Sequence, residues 1–277
     1  MMHHFLASIL IFSVFAITNA LDAKDVGLYH NKAFELLGAK YETTAPTSKV
    51  DVMANIADIL SSFCEDPALE LQLDSNCKKK AYEMTMKGFH KNEKGPQKID
   101  FPFDYDPTLR RSLEMIEPTL SELDENNFDE VLNTLTEIQN EIISAEDVNQ
   151  VHKVVAISGS SIAIESLKLW YGAFTEPNHY LHNFISPQKQ RHRNLQSLTI
   201  TLDFSRINAI VNADVSGALR GAFESLALIP FLVFYPPAFP LIALYTGTIA
   251  SAAEGANGAA TDDTTDGTDN RDTANGN

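Results

Sequence analysis

The chain has 277 residues, 44% of them hydrophobic, and a net charge of −16. An apolar fraction of that size excludes a wholly disordered chain and supplies enough material for one large domain or two small ones. The acidic balance argues against general nucleic-acid binding, since such a surface repels phosphate.

Residues 1–20 read as a secretory signal. Phe5–Ile17 forms an apolar core, and Thr18-Asn19-Ala20 places small residues before a cut after Ala20. The n-region departs from the usual pattern, with His3 and His4 in place of Lys or Arg. An uncleaved anchor is the alternative, but the apolar core is short for a span. On this route the two cysteines, Cys64 and Cys77, are expected to pair as one disulfide. No Asn-x-Ser/Thr acceptor occurs, so N-glycosylation is not expected.

The mature chain begins with a helix over 22–39, ended by Gly38, in which His30-Asn31 reads as a polar pair bonded locally. A second helix covers 48–65 with Ser48 as its N-cap. A third runs from about Ser75 to His90, so a Cys64–Cys77 bridge would staple two helices together. It carries a basic island of Lys78, Lys79, Lys80, Lys87, Lys91, Lys94 and Lys98, read as a solvated face. Anionic lipid or polysaccharide docking is the alternative.

An extended connector follows, through Phe101-Pro102-Phe103-Asp104-Tyr105-Asp106-Pro107. Its alternating aromatics and acids suggest either a ligand edge or a loop pinned to the core, and the second reading is preferred. Asp104 and Asp106 do not open a calcium loop, because no Gly and Glu follow in register.

From Thr108 to Phe174 the pattern is helical throughout. Asp129–Ser144 is amphipathic: Val131, Leu132, Leu135, Ile138, Ile142 and Ile143 fill one face, and Glu130, Glu137 and Glu141 lie outside. The next stretch carries Gly159-Ser160-Ser161-Ile162-Ala163 after a β-like run, which is reminiscent of a nucleophile elbow with Ser161 as nucleophile. Ala163 replaces the expected glycine, and the order nucleophile, acid, histidine fails, because no histidine follows His192 and the intervening acids are close by. One long buried helix over Val148–Phe174 is the preferred reading, with Trp170 in the core. His179, His182 and His192 lie in a polar connector and read as surface residues rather than a metal site. No metal or cofactor is expected.

Two runs of small residues close the ordered part of the chain. Ala209, Ala213, Gly217, Gly221 and Ser225 recur every fourth residue, as do Ala243, Gly247, Ser251, Gly255 and Ala259. On helices these form stripes that let backbones approach closely. Pro230, Pro236, Pro237 and Pro240 lie between them, so the segment reads as a hairpin of helices near 205–229 and 241–256. Leu226–Ala253 carries no formal charge. A soluble packed hairpin is weighed slightly above insertion into a bilayer, because Arg206, Asp214, Arg220 and Glu224 would be costly in lipid unless paired. The Gly-, Asn-, Thr- and Asp-rich tail is expected to be disordered.

The segment Asp214-Val215-Ser216-Gly217-Ala218-Leu219-Arg220-Gly221-Ala222 resembles the Asp-Val-x-Gly-Ala-x-x-Gly-Ala signature of a group of uncharacterised secreted proteins. Some of them are similar to glycine-zipper bacteriocin precursors there. Leu28–Ala33 and Ser160–Trp170 are also compatible with the group. The resemblance implies an all-helical secreted protein with a zipper hairpin, and supplies no catalytic residue. The proline corner and acidic tail depart from its pattern.

The sequence therefore predicts an all-α fold: signal peptide 1–20, helical body 21–204, zipper hairpin 205–256 and acidic tail 257–277. The helix-packing residues are Ala213, Gly217, Gly221, Gly247, Ser251 and Gly255. The expected role is non-enzymatic, through an extracellular protein or cell surface, with the hairpin as core or as a homo-oligomer face. A membrane-active protein inserting 226–253 is the first alternative, and a serine hydrolase using Ser161 the second.

Overall fold

The computed structural model describes residues 22–42, 46, 48–63, 79, 82–83, 100–176, 178–181, 184, 204–226 and 238–260. Within them the chain is all-α, with no strand. In chain order the helices are α1 (Val26–Lys40), α2 (Lys49–Ser62), α3 (Pro107–Glu114), α4 (Ile116–Ser121), α5 (Phe128–Ser144), α6 (Gln150–Thr175), α7 (Phe204–Leu226) and α8 (Ala238–Ala260).

Helix α6 is the axis of the bundle. It packs against α1, α3, α5, α7 and α8, and buries residues all round its circumference from His152 to Phe174. A helix apolar on every side is a core helix, which is why its sequence shows no single clean stripe. Trp170 is its largest buried side chain, edge-on to Phe34 of α1 at 5.1 Å between ring centroids. Helix α5 presents the expected alternation: Val131, Leu135, Ile138 and Ile142 face inward, while Glu130, Glu137 and Glu141 are exposed.

Local chemistry sets most helix ends. Ser48 accepts from Asp51 N at 3.1 Å, capping α2. Asp106 accepts from Thr108 N and Leu109 N, with Pro107 as the first residue of α3. Pro118 and Pro240 each lie in the first turn of a helix, where a missing N–H costs nothing.

Two expectations are corrected. Gly38 does not end α1, which runs to Lys40. A Cβ there would stand 2.5 Å from Tyr180 Cδ2 and 3.0 Å from Tyr180 O, so the glycine serves close packing. Helix α8 continues to Ala260, past the expected end at 256: Asn257 and Gly258 weaken the helix without ending it, and Ala259 and Ala260 favour it. The helix over Ser75–His90 falls almost wholly outside the described residues, as do Cys64, Cys77, the Pro230–Pro237 corner and the tail beyond Ala260.

The hairpin of α7 and α8 is built into the bundle. Helix α7 lies on α6, and α8 reaches α1, α2 and α6. Tyr245 of α8 donates its hydroxyl to Leu60 O at the end of α2, 2.6 Å away. No helix among the described residues is long and apolar enough to cross a membrane.

Candidate functional site

The small-residue seam between α7 and α8 is tight. A Cβ on Gly217 would collide with Ala250 Cβ and lie 2.8 Å from Thr246 O; one on Gly221 would collide with the Thr246 side chain. A Cβ on Gly247 would stand 3.2 Å from Asp214 O and 3.3 Å from Ala218 Cβ. The helices thus meet antiparallel but slightly rotated from a stripe-on-stripe register. Gly217 and Gly221 face Thr246 and Ala250, and Gly247 faces Asp214 and Ala218. Ala213 and Ser251 are buried in the same hairpin. Gly255 lies in α8, but its surroundings are outside the described side chains.

Close approach at this seam drives a charged residue inward. Asp214, within the Gly/Ala run, is fully buried. Its Oδ2 accepts from Ser166 Oγ and from Trp170 Nε1, the latter at 3.3 Å, both on α6. His30 Nε2 of α1 stands 3.3 Å from the same oxygen, within ion-pair reach though not aligned as a hydrogen bond. Asn31 orients the imidazole: its amide nitrogen donates to Glu165 O at 2.9 Å, turning Oδ1 toward His30 Nδ1 at 3.2 Å. An amide oxygen only accepts, so Nδ1 carries a hydrogen and Nε2 is the atom presented to Asp214. Three helices therefore converge on one carboxylate.

Serine, histidine and aspartate meet here, but not as a catalytic relay. The carboxylate is in the middle, with Ser166 and His30 each directed at it, and the group is sealed in the core. A nucleophile must be oriented by its base, with the acid behind the base.

Ser161 has a different employment. Its hydroxyl donates to Lys24 O at 2.6 Å and accepts from Gly27 N at 3.0 Å. Asp25, the residue preceding α1, makes no side-chain cap, so Ser161 caps that helix from across the bundle. The strand–turn–helix that a nucleophile elbow needs is absent at Ser161, which lies in the middle of α6.

The connector before α3 is pinned as expected, with one exception. Tyr105 is buried, donates its hydroxyl to His152 O at 2.9 Å, and stacks on the His152 ring at 4.6 Å. Burial and the neighbouring Asp106 push its hydroxyl pKa well above the ordinary tyrosine value. Phe101 packs on Tyr105 and Phe223, with the Arg110 guanidinium over its ring. Asp106 N donates to His152 Nδ1 at 3.1 Å. Between these anchors Phe103 is fully exposed. A turn closed by Tyr105 N donating to Pro102 O at 3.0 Å puts Phe103 at its tip, away from the two rings that are anchored.

Sequence reasoning missed the Asp214 cluster and Phe103. Asp214 was legible as a charge needing partners, but a helix in α1 and another in α6 supply them, and no spacing rule links those segments. His179 stacks on Tyr180 and its Nδ1 accepts from Leu181 N; His182 and His192 are outside the described residues. Among the described residues no group of three or more His, Cys, Asp or Glu is placed to hold a metal ion. Comparison of the chain with protein-family models, with curated proteins and with solved structures finds no match in any of the three.

Proposed function

We propose that the protein works by binding rather than by catalysis, as a non-enzymatic protein of the secretory route that contacts an extracellular protein. The observation that carries this reading is Phe103. Single exposed apolar residues are common on any surface. This one is an aromatic side chain wholly in water, on a loop whose neighbours on both sides are fixed in the core. Burying such a ring is worth about 1.5–3 kcal/mol, and a pinned loop has little entropy left to lose on binding. Rigid aromatic anchors of this kind dominate protein interfaces.

Two further observations support the reading. The polar groups with chemical potential, Ser161, Ser166, His30 and Asp214, are engaged in holding helices together. The exposed residues beside Phe103 include Asp100 and Asp104, which suits a cationic rim on a protein partner and disfavours an anionic lipid surface.

A photo-crosslinking phenylalanine analogue at position 103 tests the proposal. On intact cells it should yield a discrete protein adduct, abolished by excess unmodified protein. Flotation with bare phospholipid vesicles is the companion measurement. Vesicle binding with no protein adduct would overturn the proposal in favour of membrane association.

A further inference from the structure

We propose that His152 is a proton-operated latch: a proton on its Nδ1 displaces the Asp106 N–H and releases the Phe101–Asp106 loop from α6. The geometry dictates the step. Asp106 N donates to Nδ1 at 3.1 Å, so Nδ1 is an acceptor and the ring is neutral, with its hydrogen on Nε2. A second proton would go to Nδ1 and set two donors head to head. The same ring stacks on Tyr105, whose hydroxyl donates to the His152 carbonyl. One protonation therefore strikes the anchor on which the loop's buried side depends.

Among the described residues the charged groups around the ring are few. Asp104 and Asp106 favour the imidazolium, while burial disfavours it more strongly, so the His152 pKa lies below the ordinary imidazole value. The Asp106 carboxylate is already occupied as the cap of α3. Lys153, next on α6, directs its ammonium to Ala145 O, and Arg110 of α3 lies over Phe101. On α7, Phe223 packs against Tyr105, with Arg220 nearly one turn before it.

A histidine depressed in the folded state contributes stability that is complete above its unfolded value, about 6.5. That stability is lost as pH falls from there through the folded value. The latch is therefore closed at neutral pH and opens on acidification. Its consequence for partner binding rests on the reading of Phe103 as the contact residue; the opening itself does not.

Nitrogen-15 NMR of the wild-type protein tests the latch without any substitution. The His152 ring should titrate with the Asp106 amide shifting at the same midpoint. Amide exchange across Asp104–Arg110, corrected for its intrinsic pH dependence, should rise at least tenfold below that midpoint. In His152→Asn, whose side-chain oxygen accepts but does not titrate, the rise should vanish. An Asp106 amide that stays unshifted and protected while the ring titrates would overturn the latch, whatever the variant does. Binding is scored separately: loop release with undiminished partner adduct would sink the Phe103 reading and leave the latch standing.

Discussion

His30 Nε2 on α1 stands 3.3 Å from Asp214 Oδ2 on α7, and neither side chain is exposed. A charged residue in a close-packed helical seam is tolerated because α6 adds Ser166 and Trp170 as donors to the same oxygen. Asp214 Oδ1 has no hydrogen-bond partner, so the cluster is incompletely satisfied. Removing one member of a buried polar cluster leaves the others unsatisfied, at a cost of about 1–3 kcal/mol. Asp214→Ala and His30→Ala should each lose that much in urea unfolding. The double variant should cost clearly less than the sum of the two. Losses under about 1 kcal/mol in both singles would show that the cluster does not hold the helices.

The seam makes opposite predictions for two glycines. At Gly221 an added methyl meets the Thr246 side chain, so Gly221→Ala should destabilise, and Gly221→Leu should cost about 1–3 kcal/mol or more by overpacking. At Gly172 the nearest atom, His179 Cδ2, is 3.5 Å away, which is ordinary contact. Gly172→Ala should gain about 0.5–1 kcal/mol of helix propensity. Equal effects in the two alanine variants would contradict the seam geometry.

Buried tyrosines set an alkaline limit. Burial raises the Tyr105 and Tyr245 hydroxyls, and pushes Tyr41 up to about 12 with Asp51 adding to the effect and an Asn55 hydrogen bond opposing it. Their neutral forms are held in the fold, so this stability is present below the unfolded value of about 10 and is lost as pH rises above it. Tyrosinate absorbance from these residues should therefore appear together with loss of helical circular dichroism. Early ionisation of all the tyrosines in a still-helical protein would contradict their burial.

Ser161 caps α1 rather than presenting a nucleophile. Ser161→Ala strands the Gly27 N–H and the Lys24 carbonyl in the interior and should cost about 1–3 kcal/mol. A fluorophosphonate should leave the folded wild-type protein unlabelled. Labelling that Ser161→Ala removes would restore the hydrolase reading.

The all-helical fold was legible because its signals are local. Ser48, the Asp106-Pro107 pair and the spacing in α5 each act within a turn or two of chain. The hairpin was legible because small residues at a spacing of four leave few other ways to pack. What escaped depends on segments far apart in sequence. The cap on α1 comes from Ser161, the partners of Asp214 come from His30 and Ser166, and Gly38 is a glycine because Tyr180 lies against it. Phe103 escaped for a subtler reason. Aromatics in a loop commonly pin it, and two of the three here do; only the folded connector shows which one is left outside.

The most direct measurement is equilibrium binding of labelled protein, residues 21–277, to intact cells at neutral pH, for wild type and Phe103→Ser. The substitution touches no core contact, so the melting temperature should be unchanged. The account predicts saturable wild-type binding that the variant weakens at least tenfold. Equal binding by both proteins, or no saturable binding by either, would contradict it.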